Sequence, residues 1–399
     1  MIVMGHRAQR RHGRCTGCIG NPRVRRGAQA AAFALRLVAV GSLLLAVACS
    51  GGSDGATVPV SEEPEPLTPA KVILHQQTPP SVADVVAAAP TLDTLPVDGV
   101  VVWSKVSNAV MGARPLDPVA LANEFAPMRP GIFKHLTDNF ALVYATPAGA
   151  FTGYRGTVAG NFARYAGAAH SAGFVGIFFD VEQYFGPTWD PAVACPGLDL
   201  ATCRDEARRA GTEVMRSIIG VWPDVKMLVT FGASVSEPLT ANALNPPTYP
   251  DVSSENPTYG AFAVGMVQAI DGTSATYLDG SGSYTQNNAS DVERLVNWLS
   301  RGMAERSPLV PTQFRDRYRR LVSPAPGVYD FPVRLLDKGP GSPAMWENDI
   351  AVTVAGARKY VWLYSERFNW LASSRDTSRL SPTVLWLEAT QRGIARARN

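Results

Sequence analysis

Two carboxylates separated by a single residue follow an apolar run near the middle of the chain. The run covers residues 173–179, and the acids are Asp180 and Glu182. In an extended strand, residues i and i+2 point to the same face, so both side chains would face the same side. Cleavage of a glycosidic bond needs such a pair, a proton donor at the leaving oxygen and a second anion at the charged centre. The structural alternative is a capping Asp and a Glu in an ordinary loop.

The proton donor of such a reaction must stay protonated near neutral pH. Two close carboxylates resist joint ionisation, so Asp180 beside Glu182 can meet this requirement. We therefore predict Glu182 as the general acid. Glu366 follows the apolar stretch 360–365 and is predicted as nucleophile or base, with Asp279 in reserve. The structural alternatives are an ion pair of Glu366 with Arg367 or Lys359 and a turn-forming role for Asp279.

A second chemical route gives Asp180 a different task. In an Asp-x-Glu arrangement, the Asp can orient an acetamido group of the substrate, which then serves as the nucleophile. Tyr284 or Tyr364 would hold that acetamide. Under this route Glu366 would be dispensable for chemistry and Asp180 would not. Both routes remain open at the level of the sequence.

Aromatic residues accompany the acids at the predicted strand ends, and histidine is absent among them. Aromatic faces stack on sugar rings, and carboxylates accept hydrogen bonds from sugar hydroxyls, so the mixture favours a carbohydrate over a phosphate or a peptide. The predicted substrate-binding residues are Trp103, Tyr184, Asp279, Tyr284, Tyr364 and Trp370.

The elements that must position these residues alternate between strand and helix patterns from about residue 97. This rhythm is typical of a parallel sheet covered on both faces. The remaining length suits one (β/α)8 barrel, a TIM barrel, in which polar residues at the strand ends converge on one mouth. Seven strands are visible, so the eighth is missed or the barrel is irregular, with residues 333–336 as a weak candidate. The predicted strands cover residues 100–105, 140–145, 174–180, 226–231, 275–278, 327–331 and 360–365.

Amphipathic stretches separate these strands. After Ser290, apolar residues recur at helical spacing, and Ser290 with Glu293 fits a capping box. Further helices are predicted from residue 202 to a point before Pro223 and over residues 347–358 and 382–397.

The first 48 residues have the composition of an export signal. They contain eight arginines and no acid, and they end in an apolar run before Cys49. A basic segment, an apolar segment and small residues before a cleavage point describe a secretion signal. The small residues before Cys49 resemble a bacterial lipobox, which implies cleavage there and a lipid on the cysteine sulfur. We expect a signal at 1–48, a lipid-anchored linker and short N-terminal segment at 49–96, and the barrel at 97–399, held at the bacterial cell envelope.

The charge and the cysteines agree with export. The chain has 37 basic and 34 acidic residues, and without the eight leader arginines 29 and 34 remain, a net charge of −5. No stripe of Lys and Arg is present, so nucleic acid is not an expected partner. Cys195 and Cys203 are expected to form a disulfide in an oxidising compartment. The histidines are widely spaced, and no metal or other cofactor is expected.

Together these motifs resemble a family of uncharacterised bacterial barrels of glycoside-hydrolase type. The resemblance covers about residues 97–372 and rests on Asp180, Glu182 and Tyr184 after one strand and on Glu366 and Trp370 after the last. It implies a TIM barrel and a carbohydrate-linked role, and it implies no particular substrate. The Asp-x-Glu is also similar to chitinase-type and lysozyme-type barrels, but the Asp-rich lead-in of the chitinase motif is absent.

Two expectations of different class follow. The first is an exported, lipid-anchored barrel that hydrolyses O-glycosidic bonds in a polysaccharide or glycoconjugate. The second is a non-catalytic lipoprotein with a degenerate barrel, which binds glycans or serves as an envelope scaffold. The second is favoured if Asp180 and Glu182 point into a closed apolar interior or if Glu366 lies far from them.

Overall fold

The computed structural model describes residues 69–399 apart from 147–148, 185, 237–256, 282–283, 285, 332–340 and 372–373. The predicted signal and Cys49 lie outside the described residues, as does the weak candidate strand at 333–336.

Parallel strands form the centre of the described part of the chain. Their order is β7-β6-β5-β4-β3-β2-β1-β9-β8, and every neighbouring pair is parallel. All seven predicted strands are present. The strands are β1 (Lys71–Gln76), β2 (Gly99–Val102), β3 (Phe140–Tyr144), β4 (Gly176–Asp180), β5 (Lys226–Val229), β6 (Thr276–Asp279), β7 (Val322–Pro324), β8 (Gly327–Tyr329) and β9 (Tyr360–Ser365).

Strands β7 and β8 are two halves of one position in the ring, separated by Ala325 and Pro326. β7 pairs with β6, and β8 pairs with β9. Backbone bonds continue across the break, since the Ala325 N–H donates to the Asp279 carbonyl at 2.7 Å and the Trp362 N–H to the Pro326 carbonyl at 3.3 Å. Proline cannot donate to a ladder, which accounts for the interruption. With β7 and β8 taken together, eight positions close a (β/α)8 barrel that is irregular at one strand, and the predicted fold class is confirmed.

Two strands were not predicted from the sequence, the short β7 and β1. Of the two, β1 forms a position of the ring by itself. It lies upstream of residue 97, where the barrel was expected to begin, and it pairs with β2 on one side and β9 on the other. The barrel therefore includes the segment from Lys71 onward, which the sequence had assigned to the linker. Its short apolar run ends in His75 and Gln76, two polar residues that are nevertheless buried.

At least one helix follows every strand position of the ring. The predicted capping box at Ser290 is wrong, because Asn288 caps that helix and its side-chain oxygen accepts the Asp291 N–H at 3.0 Å. The helices are α1 (Val82–Ala87), α2 (Ala89–Leu92), α3 (Pro118–Phe125), α4 (Arg155–Ser171), α5 (Pro191–Ala194), α6 (Leu200–Ile219), α7 (Pro257–Ala269), α8 (Ala289–Asn297), α9 (Met303–Arg306), α10 (Arg315–Leu321), α11 (Pro343–Gly356) and α12 (Val384–Arg398).

The strands divide their side chains between two apolar layers. On β4, Phe178 points into the barrel and Phe179 packs in the layer between sheet and helices. The interior is filled by large rings, among which Phe178 and Trp362 meet edge to face at 5.5 Å between ring centres. These side chains fill the barrel interior beneath the carboxyl ends of the strands, as the barrel architecture requires.

A disulfide joins Cys195 and Cys203, as predicted from the sequence. It fixes the connection between β4 and α6, directly after the segment that carries Glu182. Within the described residues, none of the helices combines the length and the apolar character needed to cross a membrane.

Two helices of the outer layer pack at backbone distance, and this contact can be tested. A Cβ at Gly211 on α6 would lie 2.0 Å from the Phe262 carbonyl oxygen of α7. We expect Gly211→Ala to lower the free energy of unfolding by about 2 kcal/mol, because the backbones must separate. Gly167→Ala on α4, where a Cβ meets open space, should be neutral or slightly stabilising. Urea unfolding of both variants measures the difference, and equal stabilities would contradict the packing described.

Candidate functional site

Asp180 closes β4 with its side chain on the barrel-interior face. It is 2% exposed. Hydroxyl groups of Tyr184 and Thr230 hydrogen-bond to its carboxyl group, and the Glu182 N–H donates to Oδ1 at 3.2 Å. Burial, followed by the negative charge of Glu182, raises the pKa of Asp180 well above its ordinary value. The hydrogen bonds act in the opposite direction and are outweighed, so the protonated form is favoured.

Glu182 follows two residues after Asp180, on the same side of the chain. Val181 between them points outward and is pinned on both sides, since its N–H donates to Thr230 Oγ1 at 3.1 Å and its carbonyl accepts the Trp189 indole N–H at 2.9 Å. The Glu182 side chain is half-buried, and the Tyr184 hydroxyl hydrogen-bonds to it as well as to Asp180. Asp180 and Glu182 thus share one hydroxyl partner.

A third acid, Glu366, directly follows the end of β9. Glu366 is half-buried and accepts a hydrogen bond from the Tyr329 hydroxyl of β8. Its backbone N–H donates to Asp330 at 3.0 Å, and the same buried carboxylate accepts the Ser365 hydroxyl at 2.5 Å and the Arg367 N–H at 3.2 Å. Burial raises the pKa of Asp330 to about 6. Asp330 thus holds the turn that aims Glu366.

Tyr364 links the two acid-bearing strand ends. Burial raises the pKa of its phenol, and the charges of Glu182, Glu366 and Asp180 raise it further. The ring centre of Tyr364 lies 5.1 Å from that of Tyr329, whose hydroxyl donates to Glu366. Glu366 therefore lies beside the Tyr329–Tyr364 pair, while Asp180 and Glu182 share the Tyr184 hydroxyl at the end of β4.

Aromatic rings wall this mouth on several sides. Tyr284 stacks on Tyr364 with ring centres 6.2 Å apart, and Tyr329 lies 5.1 Å from Tyr364. Tyr144 at the end of β3 meets Tyr184 edge to face at 6.1 Å. Tyr184 is 53% exposed as a residue, while its hydroxyl hydrogen-bonds to Asp180 and Glu182.

Two predicted substrate-binding residues lie outside this group. Leu278 belongs to the interior layer and Tyr277 to the outer one, so Asp279 points toward the helices. Burial raises the pKa of Asp279 to about 7, and its Oδ1 accepts the Gly232 and Ser281 N–H groups at 2.9 and 3.1 Å. Asp279 therefore shapes the loops after β5 and β6 instead of lining the mouth.

Trp370 is the other residue outside the mouth. Its indole N–H donates to Ser365 Oγ at 2.9 Å, and its ring lies 6.3 Å from Trp346 and 6.2 Å from Phe368. It is buried behind β9, in the layer shared with α11 and α12. The chain turns sharply after Ser365, so strand alternation does not extend to residue 370.

Two residues that the sequence analysis left out of the site border the mouth. His75 on β1 packs 5.4 Å from Tyr364, and burial lowers its pKa to about 3, which keeps the imidazole neutral. Arg375, beyond β9, places its guanidinium carbon 3.6 Å from the ring centre of Trp103. Among the described residues, no group of three or more His, Cys, Asp or Glu side chains is arranged to hold a metal ion.

Comparisons with known proteins give a likeness in fold only. No protein-family model matches the chain, and no curated protein matches it. A GH18 chitinase from Pseudoalteromonas aurantia is 12% identical, with 81% of this chain and 100% of that chain covered and a TM-score of 0.39. An exo-β-1,4-mannosidase from Opitutaceae bacterium strain TAV5 is 10% identical, with 83% of this chain and 61% of that chain covered and a TM-score of 0.40. An endo-β-1,4-glucanase from Xanthomonas axonopodis pv. citri is 11% identical, with 82% of this chain and 98% of that chain covered and a TM-score of 0.37. At these TM-scores the likeness carries no argument about activity.

Because Asp180 is buried, we expect its replacement by a neutral residue to stabilise the protein by an amount that depends on pH. Because its folded-state pKa is raised, the wild type loses stability as the pH rises above about 4, where the unfolded chain ionises. Asp180→Asn does not titrate, so we expect its melting temperature to exceed that of the wild type by a few degrees at pH 7 and by less at pH 4.

Asp93 supplies a control of opposite sign. Burial raises its pKa, but backbone N–H groups of Lys134, His135 and Leu136 outweigh this effect and lower it. Asp93→Asn should therefore destabilise the protein more at pH 7 than at pH 3. Thermal melts across this pH range test both variants, and a destabilising Asp180→Asn at pH 7 would contradict the burial described.

Asp330 predicts a large structural cost. Asp330→Ala leaves the Glu366 and Arg367 N–H groups without their carboxylate acceptor, and the Ser365 hydroxyl keeps only the Phe368 carbonyl, at 3.2 Å. We therefore expect a loss of about 3 kcal/mol in the free energy of unfolding. Asp117→Ala, which removes the exposed cap of α3, should cost about 1 kcal/mol. Urea unfolding compares the two, and an equal cost would argue against Asp330 as the anchor of the β9 turn.

Proposed function

We propose that the protein is a glycoside hydrolase that cleaves an O-glycosidic bond of a polysaccharide or glycoconjugate. The observation that carries this proposal is the pairing of each acidic strand end with a phenol. Asp180 and Glu182 share the Tyr184 hydroxyl. Glu366 accepts the hydroxyl of Tyr329, whose ring centre lies 5.1 Å from that of Tyr364. Carboxylates from two strand ends around one aromatic-walled mouth supply both the proton donor and the second anion that the reaction needs.

Glu182 is the proposed general acid. It stands half-buried above Asp180, and the two carboxyl groups resist joint ionisation. The proton held by the pair would be delivered to the leaving oxygen, and the Tyr184 hydroxyl would keep the two groups in register. Asp180 itself lies beneath the mouth and acts through Glu182.

Glu366 is the proposed nucleophile or base. The Tyr329 hydroxyl and the Asp330-anchored turn fix its direction. A carboxylate in this place either attacks the anomeric carbon or activates a water on the opposite face of the sugar, depending on its separation from Glu182. The substrate-assisted route, in which an acetamido group replaces Glu366, is the chemical alternative within the same class.

A second candidate function is glycan binding without cleavage. It draws on the burial of Asp180 above an interior filled by Phe178 and Trp362. Under this alternative the aromatic rim would retain a saccharide and release no product. We also propose, from the sequence of the leader, that a lipid on Cys49 attaches the protein to the cell envelope.

Substitution of the acids separates these possibilities. Glu182→Gln is isosteric and cannot donate the proton, so we expect its kcat for reducing-sugar release from a polysaccharide panel to fall roughly 10²–10⁴-fold, with thermal unfolding nearly unchanged. Glu366→Gln should lose activity on a similar scale. Glu305→Gln, which alters an exposed ion pair with Arg301, should leave kcat unchanged.

Each outcome has a distinct meaning. Full activity of Glu182→Gln would contradict its role as the acid. Retained activity of Glu366→Gln together with loss in Asp180→Asn would favour the substrate-assisted route. Saccharide binding by the wild type without release of any product would favour the non-catalytic alternative.

A further inference from the structure

Arg375 brings a positive charge to a mouth otherwise rich in acids and phenols. Its guanidinium plane lies on Trp103, with the central carbon 3.6 Å from the ring centre, and one N–H donates to the Pro79 carbonyl at 3.0 Å. Trp103 directly follows β2, and Pro79 follows β1. Stacking on an aromatic face holds a guanidinium flat and directs its edge along that face.

Trp103 packs against the interior aromatic cluster, as Tyr329 and Tyr364 do, so Arg375 lies at the same end of the barrel as those tyrosines. Burial, together with the charges of Asp180 and Glu182, raises the pKa of the Tyr144 phenol, and the charge of Arg375 lowers it. The phenol is therefore within reach of both signs of charge. Going around the mouth, the β1–β3 side is positive at Arg375, and the β4 and β9 ends are negative.

We propose that Arg375 forms a subsite for the carboxylate of an acidic sugar, so that the natural substrate is a saccharide containing uronic acid or a similarly carboxylated residue. This inference rests on the proposed function for the identity of the site as a sugar-binding mouth. The guanidinium fork presents paired N–H donors that match a carboxylate, and the acids at the other side repel that same group. An acidic sugar therefore enters in one orientation, whereas a neutral sugar gains nothing from Arg375.

Asp84 is the acid whose charge also reaches Arg375. It lies on α1, and its Oδ2 accepts the Ser81 N–H and hydroxyl at 2.9 and 2.8 Å. Asp84 also hydrogen-bonds to Ser374, the residue before Arg375, so it joins the cap of α1 to the segment that carries Arg375.

Binding without turnover tests this subsite. The Glu182→Gln protein would be titrated calorimetrically with short oligosaccharides of galacturonic, glucuronic and mannuronic acid and with their carboxyl-reduced, neutral counterparts. We expect at least one acidic series to bind about 10-fold tighter than its neutral counterpart, with the preference weakening at high salt. Adding Arg375→Gln should reduce the preference to within about twofold, and Arg375→Lys should leave an intermediate value.

Arg367→Gln is the matched control, because Arg367 also stacks on aromatic rings, with its guanidinium carbon 4.9 Å from Phe368 and 5.0 Å from Trp386. It should keep the full preference for the acidic sugar. Equal binding of acidic and neutral forms, no binding of any acidic form, or an unchanged preference in Arg375→Gln would each overturn the inference. Since no turnover is measured, a protein that binds acidic sugars through Arg375 but cleaves none would sustain this subsite and refute only the hydrolase.

Discussion

The burial of the Asp180 carboxyl group at the end of β4, two residues before a second acid, is the constraint on which the site depends. An ionised carboxylate there would lose its hydration and face Glu182. The chain offsets part of this cost with hydroxyl groups from Tyr184 and Thr230 and with the Glu182 N–H. A fold that retains such a group at the head of its barrel gives up stability at that position, as functional sites commonly do.

The barrel supplies what this local chemistry lacks. A single strand end can hold Asp180 and Glu182, but a third acid must come from elsewhere, and parallel strands bring all their carboxyl ends to one edge. The ring closes through the split strand β7–β8, which places Tyr329 and Asp330 beside β9. The positioning of Glu366 is thus a consequence of ring closure, because its partners come from the neighbouring strand.

The aromatic content of the mouth has a structural and a functional side. Phe178 and Trp362 fill the barrel interior directly below the mouth. Above them, Tyr364 and Tyr284 form a stacked pair, and Tyr184 is partly exposed. The same rings that exclude water from Asp180 therefore offer the surface on which a sugar would rest.

Much of this arrangement could be predicted from local sequence, and the exceptions have physical reasons. The Asp180–Glu182 spacing and the seven strands follow from residue alternation, which is a local property. Strand β1 was not predicted because its short apolar run ends in His75 and Gln76, whose burial depends on neighbours distant in sequence.

Two residues that were assigned to the site have side chains that point away from it. Asp279 faces the helices because the alternation of β6 places Leu278 inside. Trp370 follows a turn held by Asp330, to which strand alternation does not apply. Arg375 carried no local signal, since only the fold brings it onto Trp103.

The most direct test of the central claim is a carbon-detected NMR titration of the aspartate and glutamate carboxyl groups in the wild type and in Glu182→Gln. The account predicts that Asp180 titrates well above ordinary aspartates and that its pKa falls, without becoming normal, once the neighbouring charge is removed, because burial remains. An Asp180 that titrates in the ordinary range, or that does not respond to Glu182→Gln, would show that the two carboxyl groups do not form the coupled pair on which the proposed chemistry rests.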